Sequence, residues 1–252
     1  MPAGRVPATG EIVSSAGPSG GNVRGKVLYV NQVPSDGWLK CRDAISNAAV
    51  YLLKYTRVRL TERRQGRTFF EVMDGGAKGR TLSLSDENSL VYLGPKAPTI
   101  GPAKVVVTYG KYVEGWVSKA RPDIPYLQQQ MATIEVAGIT AQVSMNSEWG
   151  RNYTPMPAGQ YTVLLPVAPH DKVATSFYRP FEPRLKFDQV WFQIQYGDNS
   201  RFVHVGHLSH GCTTVLDLAR WADIHEALIS HRSADGKSVA QLTVKGTPEK
   251  AK

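Results

Sequence analysis

Apolar side chains recur along the chain mainly with the period of two that marks a strand with one wet face. Tyr55-Thr-Arg-Val-Arg-Leu-Thr-Glu62 alternates in this way, Arg63-Arg-Gln-Gly66 supplies a turn, and Arg67-Thr-Phe-Phe-Glu-Val-Met73 returns, which predicts a hairpin. Ala103–Tyr109 predicts a further strand. Ala132–Val136 and Ile139–Ser144 flank the short turn Ala137-Gly138, and Gln160–Pro166 follows Pro157-Ala-Gly159. Between Phe187 and Tyr196, Val190, Phe192, Ile194 and Tyr196 share a face; Gly197–Ser200 then turns the chain and Arg201–Val205 runs back. Asp43–Leu53 fits either a helix or a buried strand.

One segment has helical spacing. Leu218, Trp221, Ala222, His225, Leu228 and Ile229 fall on one face, with Asp217 as the expected N-cap and His231 and Arg232 in the last turn, where positive charge suits the helix dipole. His225, on the apolar face, reads as a core histidine rather than a ligand.

These elements predict a mainly β fold with a few helices. Residues 1–22, rich in Pro, Gly, Ser and Ala, read as a flexible arm. Residues 23–125 form a β-rich N-terminal region ending in a linker at Pro122–Pro125, 126–235 a second unit expected to be sandwich-like, and 236–252 a C-terminal strand and flexible tail. The 23 Gly and 16 Pro agree with many turns and short strands. No internal repeat is present.

Charge adds the prospect of an anionic partner. The formal net charge is +9, and Arg57, Arg59, Arg63, Arg64 and Arg67 cluster on the predicted hairpin. They read either as a solvated face or as a patch for an anionic polymer such as that of a cell wall. No nucleic-acid motif is present, and no apolar run is long enough to cross a membrane. The first residues lack the apolar stretch of a secretory signal. A role outside the cytoplasm then calls for a non-standard export route; otherwise the chain is expected in the cytoplasm. Two cysteines, Cys41 and Cys212, make no disulfide framework. Cys41 reads as structural or surface.

Candidate chemistry concentrates in His204-Val-Gly-His-Leu-Ser-His-Gly-Cys-Thr-Thr214. A cysteine nucleophile needs a base for its thiol, and histidine is the usual one. The tetrahedral oxyanion needs preorganised donors, which backbone N–H groups of a tight Gly-containing turn supply. Ser209-His-Gly-Cys212 offers that turn, and the preceding strand presents His204.

Ser209-His210-Gly211-Cys212 resembles the Ser/Thr-His-Gly-Cys signature of the L,D-transpeptidase (YkuD-type) catalytic domain. Thr154-Pro-Met-Pro-Ala-Gly-Gln-Tyr161 resembles that family's Thr-Pro-x-Gly-x-Phe segment, and the helix after Cys212 is similar to the one that follows the family's cysteine. The resemblance covers roughly residues 130–232. It implies an enzyme that attacks the L,D bond of peptidoglycan stem peptides, forms a thioester, and passes the acyl group to an amine or to water, with no cofactor and no metal. Carried over by position, Cys212 is the nucleophile, His204 the base, and the backbone around His210, Gly211 and Cys212 the oxyanion hole, with Ser209 in the same motif. His207 is the alternative base or a residue behind the site, and Tyr196, Thr213 and Thr214 are the candidate substrate-binding side chains.

The chain departs from the family in two places. The His204-to-Cys212 interval is shorter than usual, so a substrate-covering loop is missing and hydrolysis is expected to compete with transfer. Thr214 stands where the family's Gly-Cys-Ile-Arg segment carries Arg. Both departures resemble a short-loop branch of secreted antibacterial effectors, which implies a secretion machine and an immunity protein as partners. Two other readings stay open at this point. His204, His207, His210 and Cys212 are also a zinc-type donor set, and a non-enzymatic polyanion-binding β module would leave Cys212 as a core residue.

Overall fold

A computed structural model of the chain describes residues 24–121, 123, 126–150 and 152–251. The expected arm at 1–22, and Pro122, Ile124 and Pro125 of the expected linker, lie outside the described residues.

The N-terminal part builds a seven-stranded sheet from β1 (Val27–Val30), β2 (Trp38–Asp43), β3 (Ala49–Leu53), β4 (Arg57–Arg64), β5 (Arg67–Val72), β6 (Thr81–Ser85) and β7 (Leu93–Gly94), with helix α1 (Asp86–Tyr92) before β7. The strand order is β3-β2-β6-β5-β4-β1-β7. The predicted hairpin is β4–β5. Its alternation buries Val58, Leu60, Phe70 and Val72, and its loop is Gln65 (φ 51°) and Gly66 (φ 70°), the paired left-handed conformation that matches strand twist. The ambiguous segment Asp43–Leu53 resolves into the end of β2, a turn and β3. Asp43 Oδ1 accepts the N–H groups of Ile45 (3.1 Å) and Ser46 (2.9 Å), which turns the chain before a helix can start. Helix α1 was not anticipated; Ser85 caps it by accepting the Asn88 N–H.

On the arginine-rich hairpin, Arg59 pairs with Glu71 (3.2 Å), Arg64 with Glu62 (3.2 Å) and, more loosely, Arg57 with Asp74 (3.9 Å), while Arg67 donates to Ser83 Oγ. Much of the positive face is therefore answered by acids on its own sheet. Cys41 is buried in this sheet's core, where burial pushes its thiol up to about 12.

The rest of the chain comprises β8 (Thr99–Ile100), β9 (Ala103–Trp116), β10 (Leu127–Val136), β11 (Ile139–Asn146), β12 (Gly159–Leu164), β13 (Phe192–Ile194), β14 (Arg201–Val205), β15 (Thr213–Val215), helix α2 (Trp221–Ile229), β16 (His231–Arg232) and β17 (Ser238–Lys245). The mainly β fold is as expected, but a closed barrel, β10-β11-β15-β14-β13-β12-β17-β9, stands where a sandwich-like unit was predicted. β9 closes it by pairing with β10 on one side and, in parallel, with β17 on the other. The unit thus begins near 103 rather than 126 and runs to 245 rather than 235. The closure follows from burial: Val105 and Val107 of β9 and Leu242 and Val244 of β17 all face the barrel core.

Four local expectations change. Helix α2 starts at Trp221 rather than after Asp217, whose carboxylate instead accepts the Ala219 N–H within a preceding turn. His231 and Arg232 leave the helix and pair with Thr99 and Ile100, and Ile224 rather than Ala222 completes the buried face. The tail is held against the barrel: Glu249 accepts the Tyr112 N–H (2.7 Å), and Lys250 Nζ sits 4.7 Å from the Trp149 ring centroid. Sheet and barrel meet through Lys54–Glu226 (2.9 Å), Tyr55 Oη–Glu226 (2.8 Å) and Trp38 Nε1 donating to Gln189 O (3.2 Å).

Candidate active site

β14 and β15 run parallel, and the loop 206–212 joins them. Parallel neighbours ordinarily need a connection of about a dozen residues or more. This shorter return relies on Gly206 (φ 150°) and Gly211 (φ 80°). A Cβ on Gly211 would stand 2.4 Å from Thr154 O and 2.6 Å from Arg201 Nε, so glycine is required by space as well as by conformation. Thr154 belongs to the Thr-Pro segment of the sequence signature, which packs directly beside the cysteine loop.

Ser209 ties the loop down. Its Oγ donates to Cys212 O (2.8 Å), its N–H donates to Ser147 Oγ (2.6 Å), and its carbonyl accepts the Ser147 N–H (2.8 Å). The pairings Val203↔Thr213 and His204↔Thr214 bring Cys212, one residue before β15, level with Phe202. His204 and Cys212 are therefore diagonal neighbours on the same face of adjacent strands. Both line one cavity of about 650 Å³, and His210 stands at it too.

His204 is 4% exposed, and its ring lies flat on Trp191 at a centroid distance of 3.7 Å. Its Nδ1 is 2.9 Å from Val205 O, so Nδ1 carries the proton and Nε2 is left as the acceptor. Nε2 lies 3.0 Å from Thr214 Oγ1, whose single hydroxyl proton is shared between Nε2 and Leu208 O (3.3 Å). Among the described residues the ring is bonded to Thr214 and Val205, not to Cys212. Burial holds the imidazole pKa down at about 3, so it is neutral near pH 7.

Cys212 is 5% exposed. Burial raises its thiol pKa above the ordinary range, against the Phe202 backbone N–H, the Arg201 charge and the His210 backbone N–H, which all favour the thiolate. The resting group is therefore a thiol. The His210 ring is at the mouth, stacked on Tyr153 (4.4 Å) with Nε2 3.7 Å from Glu148 Oε1.

Other expected site residues face elsewhere. His207 uses both ring nitrogens, Nδ1 with Ser118 Oγ and Nε2 with Leu216 O (3.2 Å), and it does not line the Cys212 cavity. Thr213 points to Met145 Sδ (3.6 Å) on the barrel's inner side, because neighbours in a strand alternate faces. Tyr196 packs edge-on against Tyr161 (5.4 Å). The zinc-type set is not assembled. The rings of His204, His207 and His210 diverge to different neighbours, and among the described residues no three His, Cys, Asp or Glu side chains are placed to hold a metal ion.

Sequence reasoning missed the Val205 carbonyl that orients His204, the Arg201 guanidinium beside the cysteine, and most of the cavity wall. That wall is largely apolar, with Val173, Phe177, Tyr178 and Phe181 from the segment around two short 3-10 turns (Lys172–Ala174 and Ser176–Tyr178) and Trp191 behind. The aromatic cluster Phe177-Tyr178…Phe181 was the available signal. No protein-family model matches the chain, and no curated protein and no solved structure matches it significantly.

Proposed function

We propose that the chain is a thiol-dependent acyl-transfer enzyme acting on the L,D bonds of peptidoglycan stem peptides. The observation that carries the chemistry is the diagonal placement of His204 and Cys212 at one cavity, with His204 Nδ1 anchored on Val205 O and Nε2 left to accept a proton. The choice of substrate is supported by Ser209-His210-Gly211-Cys212 and the neighbouring Thr154–Tyr161 segment.

In this reading a turn of the His204 ring exchanges Thr214 for the Cys212 thiol. Sγ attacks the carbonyl carbon while its proton passes to Nε2, and the Val205 carbonyl steadies the resulting imidazolium. The His210 backbone N–H, already close enough to favour the Cys212 thiolate, is the first donor to the oxyanion. Collapse breaks the C–N bond, and the leaving amine takes the proton from His204. Water or a second amine then opens the thioester, with His204 again as base. Loop 206–212 is too short to add a cover between base and nucleophile, so water competes with amine acceptors and carboxypeptidase products accompany transpeptidation. Delivery outside the cytoplasm as an antibacterial effector, with an immunity protein as partner, fits this chemistry and is part of the same proposal.

A second reading keeps the chemistry and changes the donor. The walls supplied by Val173, Phe177, Phe181 and Leu208 suit an apolar acyl group. Mass spectrometry of muropeptides after incubation with the protein, and with Cys212→Ala, decides between the two. Tripeptide products or new dimers that vanish in Cys212→Ala support stem peptides. An unchanged profile with folded protein, together with acylation of Cys212 by an apolar thioester, supports the second reading.

A further inference from the structure

A second cavity, of about 880 Å³, opens between the N-terminal sheet and the barrel. Trp191 lines both this cavity and the one at Cys212. His204 stacks on the indole at 3.7 Å and His170, which lines the second cavity, stacks on it at 3.5 Å. Two parallel rings this close cannot share one face of the indole, so Trp191 is the partition between the cavities.

The second cavity is cationic. Arg57 and Lys78 come from the sheet side, and Arg232 and Lys237 from the chain after α2, against the acids Asp74 and Asp235. Asp235 is committed locally, accepting from Ser233 Oγ (2.6 Å) and the Lys237 N–H (3.0 Å). Asp74 accepts the Arg57 N–H (3.0 Å) and lies 3.9 Å from Arg57 Nε. Arg232 is 6% exposed, and its guanidinium donates to the carbonyls of Ile229 (2.6 Å), His231 (2.7 Å) and Lys54 (3.0 Å), not to a carboxylate. None of these acceptors is charged, so the buried guanidinium is answered only at longer range, by Asp74 across the same cavity. Burial accordingly pulls its pKa down to about 10 and raises that of Asp74.

The same cavity is also apolar. Trp191 and Phe202 meet edge-on at 5.7 Å along its wall, and Ile100 and Val167 at its edge are each 75% exposed. Large aliphatic side chains left in water beside a cavity of ligand size mark a place for an apolar group.

We propose that this cavity is a second ligand site, taking a small molecule or chain end with an oxyanion of the carboxylate or sulfonate class on an apolar body. The anion is held by Arg232 with Lys78 and Lys237, and the apolar body lies against Trp191 and Phe202. A ligand there presses on the indole that backs His204, so the site adjoins the reaction centre without sharing it. The assignment stands independently of the chemistry at Cys212.

The test is fluorescence titration of the full chain with 8-anilinonaphthalene-1-sulfonate and with N-phenyl-1-naphthylamine, which has the same apolar body and no sulfonate. The sulfonate is expected to bind about tenfold or more tightly than the neutral compound. The exposed pair Lys78→Glu/Lys237→Glu should weaken the sulfonate by about tenfold at low salt and leave the neutral probe unchanged. Arg121→Glu, at the Cys212 cavity, and Cys212→Ala should change neither. Equal affinities for the two probes overturn the proposal and need no variant to fold. Sulfonate affinity unchanged in the Lys78/Lys237 variant, or lost in Arg121→Glu, overturns it as well.

Discussion

His204 Nε2 lies 3.0 Å from Thr214 Oγ1, its partner across the parallel β14–β15 pair, while Cys212 is two residues before Thr214 on the same face. The base is thus held in a resting bond beside the thiol it would serve. Thr214→Val removes the competing hydroxyl and frees Nε2 for the Cys212 thiol on the same face. One hydrogen bond of about 1 kcal/mol corresponds to about a fivefold change. Alkylation of Cys212 by iodoacetamide, followed by mass spectrometry near pH 8, should accelerate by that factor in Thr214→Val and slow in His204→Ala. Equal rates in all three proteins would separate His204 from the thiol.

The pH profile of the same alkylation reports the thiol directly. Burial raises the Cys212 thiol above the ordinary range, so the rate should keep rising with pH beyond the point at which a free cysteine levels off. Arg201 favours the thiolate, so Arg201→Met should lower the rate at a given pH and move the levelling-off to higher pH. A profile that levels off below neutral pH would mean a preformed thiolate.

Gly211→Ala forces both a left-handed φ of 80° and a Cβ 2.4 Å from Thr154 O. Gly138→Ala, at φ 77°, meets nothing within 4 Å. Gly138→Ala should cost about 1 kcal/mol in urea unfolding. Gly211→Ala should cost about 2 kcal/mol or more and displace Cys212, with loss of turnover. Wild-type turnover in Gly211→Ala would show that the loop geometry is dispensable.

Three buried histidines make the fold sensitive to acid. Burial lowers His204 to about 3, His207 to about 4 and His225 to about 3. Above the unfolded value of about 6.5 all three are neutral in both states and contribute no pH dependence. Below it the unfolded chain takes up protons that the folded chain refuses, so stability falls from about pH 6.5 down to the folded values. His225 has both ring nitrogens unpartnered among the described residues, stacked on Phe187 at 4.3 Å. His225→Phe should stabilise the protein by about 1–2 kcal/mol at pH 7 and flatten the acid limb of urea midpoints measured from pH 7 to pH 4. A destabilised His225→Phe would mean that the nitrogens have partners in solution.

What the sequence by itself determined is local. The β4–β5 hairpin follows from period-two burial and a Gln65-Gly66 loop, the β10–β11 hairpin from Ala137-Gly138, and the apolar face of α2 from 3.6-residue spacing. The turn before Cys212 was legible because it is local: Ser209 Oγ bonds the carbonyl of Cys212 three residues on, with the left-handed Gly211 between them. The tertiary structure decided everything that depends on partners far away in the chain. Closure of the barrel rests on β17 lying in parallel beside β9, more than a hundred residues earlier, and no local pattern encodes that register. The same holds for the histidines. His204, His207 and His210 look equivalent in sequence, yet one is buried at Cys212's cavity, one is bonded away by Ser118 and Leu216, and one stands at the exposed side of that cavity beside Glu148. Strand alternation together with the parallel register of β14 and β15 selects His204 and turns Thr213 inward, because a side chain's face is set by the neighbour its backbone pairs with, not by its place in a motif.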